Sequence, residues 1–262
     1  MVKFLHLLGL ALPLLALVDA APAAAQMMPH RALYQLSLAE AGGGLAKAEG
    51  AFAIEWQADC EGYTTQQRLW FLGATDEGGL FDSDVRFSSW ESADTTTLRF
   101  SMRSYAEGEL LEEFRGTAHV PRTGEPGAAT YVLPEPSEMR LPPQTVFPTE
   151  HMQRLLASAA AGERVTSHDV FDGSGAGVDA LAAVTAVIGE EVRTDGEGSV
   201  RAWPMALAYH DPMDYEAGVP IFEIRFELTE QGLMRDVYLD YGDFALRATL
   251  DDMAWLPEPD CS

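Results

Sequence analysis

Period-two alternation of apolar and polar side chains runs through most of this chain, and no other feature narrows its fold as far. Ala32, Tyr34, Leu36 and Leu38 share one face of a first segment. Phe52, Ile54, Trp56 and Ala58 share one face of a second, with Glu55 and Gln57 opposite. The pattern returns at residues 63–72, 85–90, 97–104 and 111–120. Side chains alternate across a strand, so this spacing predicts half-buried β-strands. Turn-forming runs separate them: Gly42-Gly43-Gly44, Asp76-Glu77-Gly78-Gly79, Glu107-Gly108 and Gly124-Glu125-Pro126-Gly127. Short strands with such punctuation read as an antiparallel meander.

Pro134, Pro136, Pro142, Pro143 and Pro148 then interrupt the pattern, and the stretch reads as an extended connector. It leads into a predicted helix over residues 149–161, with Thr149 as N-cap and Glu150 complementing the positive helix end. Met152, Leu155, Leu156 and Ala159 form its apolar stripe, and Gly162 follows as a stop. Strands resume at residues 164–171, 182–188, 202–209, 221–228, 234–241 and 244–255. Residues 178–192 are ambiguous: their alanines suit a helix, while Val184, Thr185, Val187 and Ile188 favour a strand. Tyr241-Gly242-Asp243 reads as a tight hairpin. The total is about a dozen strands, whose edges must be covered or closed. The expected fold is mainly all-β, a curled antiparallel sheet forming a spiral or broken barrel with one or two helices.

The N-terminus reads as an export signal. Met1-Val2-Lys3 is a short basic start, residues 4–18 are largely apolar, and Ala23-Ala24-Ala25 supplies a small-residue cleavage pattern. Cleavage is expected after Ala25, leaving Gln26 first and residues 26–262 as one domain. The signal has no lipobox cysteine at its cleavage region, so no lipid anchor is expected. No later segment approaches the ~18 apolar residues of a spanning helix. The expected location is outside the cytoplasm. Net charge is −24, and cleavage leaves it unchanged because Lys3 and Asp19 leave together. A balance this negative argues against a nucleic-acid partner and against adhesion to anionic lipid. It serves solubility or, alternatively, a basic partner.

Cys60 and Cys261 are the only cysteines. In an oxidising compartment they read as one internal bridge, with a reactive thiol pair or a metal site as alternatives. The bridge would close a loop of roughly 200 residues, for which the loop-entropy model gives on the order of 5 kcal/mol.

Catalytic signals are weak. His30, His119, His151, His168 and His210 show no metal-ligand spacing. His168-Asp169 and His210-Asp211 are adjacent in sequence, which in a strand puts the partners on opposite faces. Asp172-Gly173-Ser174-Gly175-Ala176-Gly177 lacks the lysine of a phosphate loop and the register of a nucleophile elbow, and reads as a flexible turn. The acidic pairs Glu112-Glu113, Glu190-Glu191 and Asp251-Asp252 select no catalytic dyad. No catalytic, cofactor-binding or metal-binding residue is therefore assigned. Trp56, Trp70, Phe87, Trp90, Phe100, Met102 and Phe114 lie on strands with large residues on both faces. One face builds a core; the other is either covered by the curled sheet or lines a cavity or partner surface.

Several runs together resemble the EipB family (DUF1849) of cell-envelope integrity proteins of Gram-negative alphaproteobacteria. They are His30-Arg31-Ala32-Leu33-Tyr34, Trp56-Gln57-Ala58-Asp59-Cys60-Glu61-Gly62-Tyr63, Phe147-Pro148-Thr149-Glu150-His151, Val170-Phe171-Asp172-Gly173 and the penultimate Cys261. The resemblance implies a periplasmic β-spiral with a Cys60–Cys261 disulfide and a non-enzymatic role in envelope integrity. The expected partner is another envelope component, protein or lipid, with a lipid or acylated-ligand carrier as the alternative.

Overall fold

The computed structural model describes residues 26–194, 199–212 and 218–261, so the expected export signal at residues 1–25 lies outside the described part. The first half of the chain is a run of antiparallel hairpins. It comprises β1 (His30–Glu40), β2 (Leu45–Ala58), β3 (Gly62–Thr75), β4 (Leu80–Ser92), β5 (Thr97–Ala106), β6 (Glu109–His119), β7 (Gly127–Leu133) and β8 (Ser137–Leu141). Helix α1 (Pro148–Ala160) separates it from β9 (Val165–Phe171), β10 (Leu181–Ile188), β11 (Val192–Arg193), β12 (Arg201–His210), β13 (Phe222–Thr229), β14 (Met234–Asp240) and β15 (Ala245–Trp255). The alternation read from β1 is the observed one: Ala32, Tyr34 and Leu36 are buried while Arg31, Leu33 and Gln35 are exposed. The ambiguous stretch resolves as the end of a 3-10 turn (Gly177–Ala180), then β10, with Val184, Ala186 and Ile188 inward, and the start of β11.

All 15 strands join one sheet, ordered β8-β7-β6-β5-β4-β3-β2-β1-β15-β14-β13-β12-β10-β9, with β11 pairing β12 off this path. The last strand therefore pairs with the first, and the two sheet edges come from the middle of the chain. No ladder joins β8 to β9, so the sheet is curled and open. Its seam is bridged by other means. After β8 the connector crosses to the far edge, where Val146 makes a parallel bridge to Val170. Val146 N–H donates to the Asp169 carbonyl at 2.9 Å, and Phe171 N–H donates to the Val146 carbonyl at 3.0 Å. Side chains then pack across the gap: Phe100, Tyr131 and Leu141 from one edge meet Phe147, Phe171 and Leu181 from the other. Fully burying each such side chain contributes roughly 1.5–3 kcal/mol.

Two expectations are corrected. The proline-rich stretch is not merely a connector, because it contains β8, which pairs with β7 directly before it, a strand the alternation did not show, and Ala129, Tyr131 and Leu141 of this hairpin are buried. The helix begins one residue earlier, at Pro148, and its N-cap is Phe147, which has no capping side chain. Thr149 is inside the first turn. Its backbone N–H and that of Glu150 donate to the carboxylate of Glu91 on β4, at 2.7 and 3.4 Å. The orphan donors of the helix start are thus capped from the sheet. Gly162 ends the helix with φ +78°, and the Glu163 N–H returns to the Ser158 carbonyl at 2.9 Å, a Schellman closure.

The two cysteines are joined, with Cα atoms 5.5 Å apart. Cys60 lies in the turn between β2 and β3, and Cys261 ends the tail that follows β15. The bridge ties that tail to the first half of the sheet.

Candidate functional site: a cavity inside the curled sheet

The inward face of the sheet is too large for one helix to cover. Leu155, Leu156 and Ala159 of α1 pack into the main core with Tyr34, Phe226 and Leu246. Beside them Phe52, Ile54, Leu69, Ile224 and Met234 stay only partly buried, although they point inward. They surround a cavity of about 410 Å³. Cavities of ~300–1,000 Å³ with mostly apolar walls are the usual form of small-ligand sites.

The cavity is not uniformly apolar. His30, Thr65, Ser89, Thr149, His151, Asp172 and Ser174 also line it. Most are satisfied internally. Trp56 Nε1–H donates to Thr149 Oγ1 at 3.3 Å, and the Ser174 N–H donates to Asp172 Oδ1 at 2.8 Å. Glu150, one residue before His151, is held outward by Arg154 at 2.7 Å and by Arg122. Ser89 Oγ and His151 Nε2 are different: both are buried and neither has a hydrogen-bond partner among the described residues. An unpaired buried polar group costs about 1–3 kcal/mol, so two on one cavity wall call for an explanation.

The surroundings shift several protonation equilibria. Burial, reinforced by the neighbouring His168 and Arg154, pushes the His151 imidazole down to about 3. Burial likewise lowers His168, whose ring lies 5.5 Å from that of His151. Both are therefore neutral near pH 7. Burial raises Glu91 to about 7 against the pull of the helix N–H donors. Burial also raises Asp172.

His30 and His151 line this cavity. His168 packs on His151 from β9, His119 sits on the outer surface, and His210 ends β12. The segment after Asp172 is a turn, and Gly173 (φ +73°) lies so close to the Phe100 ring that an added Cβ would be 2.3 Å from Cγ. Of the large strand residues singled out, Trp56, Phe87 and Met102 line the cavity, Phe100 and Phe114 are core, Trp70 is exposed, and Trp90 lies on the outer face under Arg99. Glu113 pairs with Arg103 on the outer face, and Glu190 and Glu191 are exposed. Among the described residues no group of three His, Cys, Asp or Glu side chains gathers as a metal site, and no helix is long and apolar enough to span a membrane. Sequence reasoning missed Ser89, His151 and Asp172 as lining groups. The signal available was a polar residue on the inward side of an otherwise apolar strand or helix face.

An open antiparallel spiral, tied by one disulfide and hollow along its inner face, defines the class: β-barrel-like proteins with an internal cavity. Within that class the chain belongs to the EipB-like family, whose model matches residues 21–257. It is 34% identical over 242 residues to the "Cell envelope integrity protein EipB" of Brucella abortus (strain 2308), covering 88% of this chain and 85% of that protein. Its fold matches the crystal structure of a β-barrel-like DUF1849 protein from Brucella abortus with a TM-score of 0.81 at 31% identity, covering 88% of this chain and 99% of the other. The resemblance read from the motifs and the curled all-β fold are both borne out.

Proposed function

We propose that this protein is a non-enzymatic envelope-integrity factor of the periplasm whose working part is the cavity, which holds a lipid or acylated envelope component. The observation that carries the reading is the combination of apolar walls with Ser89 Oγ and His151 Nε2, buried and unpartnered on the same lining. An amphipathic ligand supplies both needs: a chain for the walls and a polar group for the two orphan atoms. The relative named for envelope integrity supports the setting. So does the disulfide, which suits an oxidising compartment. Export by the leader at residues 1–25, with cleavage after Ala25 and residues 26–262 working as one domain, completes the reading.

Native mass spectrometry of mature protein taken from the periplasm without reductant tests it. The expected result is an added mass of a few hundred daltons, on the order of what a cavity of this size encloses, that organic extraction removes. An empty protein that also refuses fluorescent acyl probes would overturn it.

Docking to another envelope protein is a second reading, favoured by Leu72, Leu80, Leu110 and Leu111, which stand exposed at the hairpin ends of β3–β6. A deletion strain with rising detergent sensitivity that Leu110→Ser/Leu111→Ser protein fails to rescue, while a cavity-blocked variant rescues fully, would favour it.

A further inference from the structure

The chain carries 17 basic side chains against 41 acidic ones. Arg31, Arg68, Arg86, Arg99, Arg103 and Arg115 nonetheless gather on one outward surface. Cross-strand register puts them there: Arg68 on β3 faces Arg86 on β4, which faces Arg103 on β5. One row further on, Ser88 faces Ser101, which faces Arg115 on β6. Like charges directly opposite on adjacent strands are destabilising, so such a row is not expected from stability alone. Asp84 accepts from both Arg68 and Arg86, at 2.8 and 2.6 Å, and Glu113 accepts from Arg103 at 2.8 Å. Glu55 and Asp252 are the other carboxylates at the rim. Arg31, Arg99 and Arg115 make no ion pair among the described residues.

The surface is also concave. An open hollow of about 550 Å³ runs between Arg31, Arg68, Arg86 and Arg103. It continues into a second, of about 420 Å³, between Arg99 and Arg115, with Ser88 and Ser101 shared by both. The floor carries hydroxyl and amide groups from Gln66, Ser88, Ser101 and Thr117 among apolar ones from Leu33, Ala53 and Val132, and Trp90 stands at one end with the Arg99 guanidinium stacked 4.8 Å from its ring centre.

The geometry points to a second binding site, distinct from the cavity, in which this trough takes an anionic glycan chain. Guanidinium groups suit carboxylate, sulfate or phosphate substituents. The hydroxyl and amide groups of the floor suit sugar hydroxyls, its apolar groups suit the C–H faces of sugar rings, and the two joined hollows suit an extended chain. An acidic peptide fits less well. β3, β4 and β5 are paired on both sides, so no free backbone edge is available for strand addition. Asp84, Glu113, Glu55 and Asp252 balance the four arginines of the first hollow, so the uncompensated positive charge sits at Arg99 and Arg115, and acidic groups beyond about 8 Å are screened at physiological salt.

Titration with heparin oligosaccharides, neutral chitin oligosaccharides and oligoglutamate tests the site, using mature disulfide-bonded protein. Heparin oligosaccharides are expected to bind in a salt-sensitive manner and the neutral and peptide probes to bind far more weakly. Arg99→Gln/Arg115→Gln, which breaks no ion pair, is expected to weaken heparin binding about tenfold or more, the effect of losing a charge-assisted hydrogen bond. It leaves acyl-probe uptake by the cavity unchanged, so failure here is separable from failure of the carrier reading. Arg99→Lys/Arg115→Lys is expected to recover part of the affinity. Absence of heparin binding, equal binding of oligoglutamate, or binding indifferent to the double variant would each overturn the assignment.

Discussion

Glu91 shows how one side chain couples sheet, helix and pH. It is 1% exposed, and its carboxyl caps the start of α1 from β4. Because burial raises it from an ordinary 4.5 to about 7, the folded protein holds this proton more tightly than the unfolded chain. Its contribution is fully present below pH 4.5 and is lost as pH rises through about 7. The loss amounts to at most roughly 3 kcal/mol, because each tenfold difference in proton affinity between the two states corresponds to about 1.4 kcal/mol. His151 acts on the acid side with the opposite slope. Its folded value is depressed to about 3, so its contribution is present above about 6.5 and lost as pH falls towards 3. The two slopes oppose each other between about pH 4.5 and 6.5, so denaturant midpoints there are expected to be nearly flat. Glu91→Gln keeps a hydrogen-bonding group and is expected to leave the His151 slope alone, a midpoint that rises with pH up to about 6.5. His151→Phe is expected to leave the Glu91 slope alone, a midpoint that falls from pH 4.5 to about 7. A parallel displacement of the whole curve in either variant would show that these groups do not set the slopes. Gly173→Ala, which meets both a positive φ and the Phe100 ring, is expected to lower stability by roughly 1–3 kcal/mol, read from the same midpoints.

Among the elements, the tail after β15 is held by the disulfide rather than by a ladder. β15 ends at Trp255, the Leu256 N–H still donates to the Pro29 carbonyl at 2.8 Å, and the chain then runs to Cys261 with its side chains exposed. Cys261→Ser is therefore expected to release residues 257–261 to proteolysis and to lower the denaturant midpoint, by at most roughly 5 kcal/mol for a separation of 201 residues. Unchanged protease resistance would assign the tail's order to its other contacts. The same elements show what could be read from the chain. β1 to β6 were legible because bulky residues alternate with polar ones and glycine turns bound each run. β7 was not, because its inward residues include the small Gly127 and Ala129, and prolines flank the hairpin that follows. There the sheet crowds: a Cβ on Gly127 would stand 2.4 Å from the His119 carbonyl, so the very smallness that hides the strand is what permits it. The helix was read from its stripe, but not its cap, since Glu91 lies 58 residues away and no local pattern carries that pairing. The large residues on both strand faces left two readings open, a covered face or a cavity. Which one holds depends on how far 15 strands curl around a single helix, and period-two alternation is silent on curvature.

Taken as one molecule, the protein is a sheet whose two edges meet through a packed seam and whose interior is left partly unfilled. An empty apolar cavity forfeits dispersion contacts and two hydrogen-bond partners, so occupancy ought to appear as stability. A ligand that binds only the folded state stabilises it by RT ln(1 + [L]/Kd), about 2.7 kcal/mol at a hundredfold excess over Kd. For a chain of this length each kcal/mol moves Tm by about 2–4 °C, so extraction is expected to lower Tm by about 5–10 °C and a medium-chain fatty acid to restore it. Ile224→Trp places a large ring among Phe52, Leu69 and Met234 and separates the two sites. Filling the cavity in this way is expected to abolish both the co-purified mass and the Tm response to fatty acid, while Arg99→Gln/Arg115→Gln on the outer face alters neither. A Tm that rises with fatty acid equally in Ile224→Trp and in the parent protein would place the binding outside the cavity. The same result would leave Ser89 and His151 without the ligand that their unpartnered atoms imply.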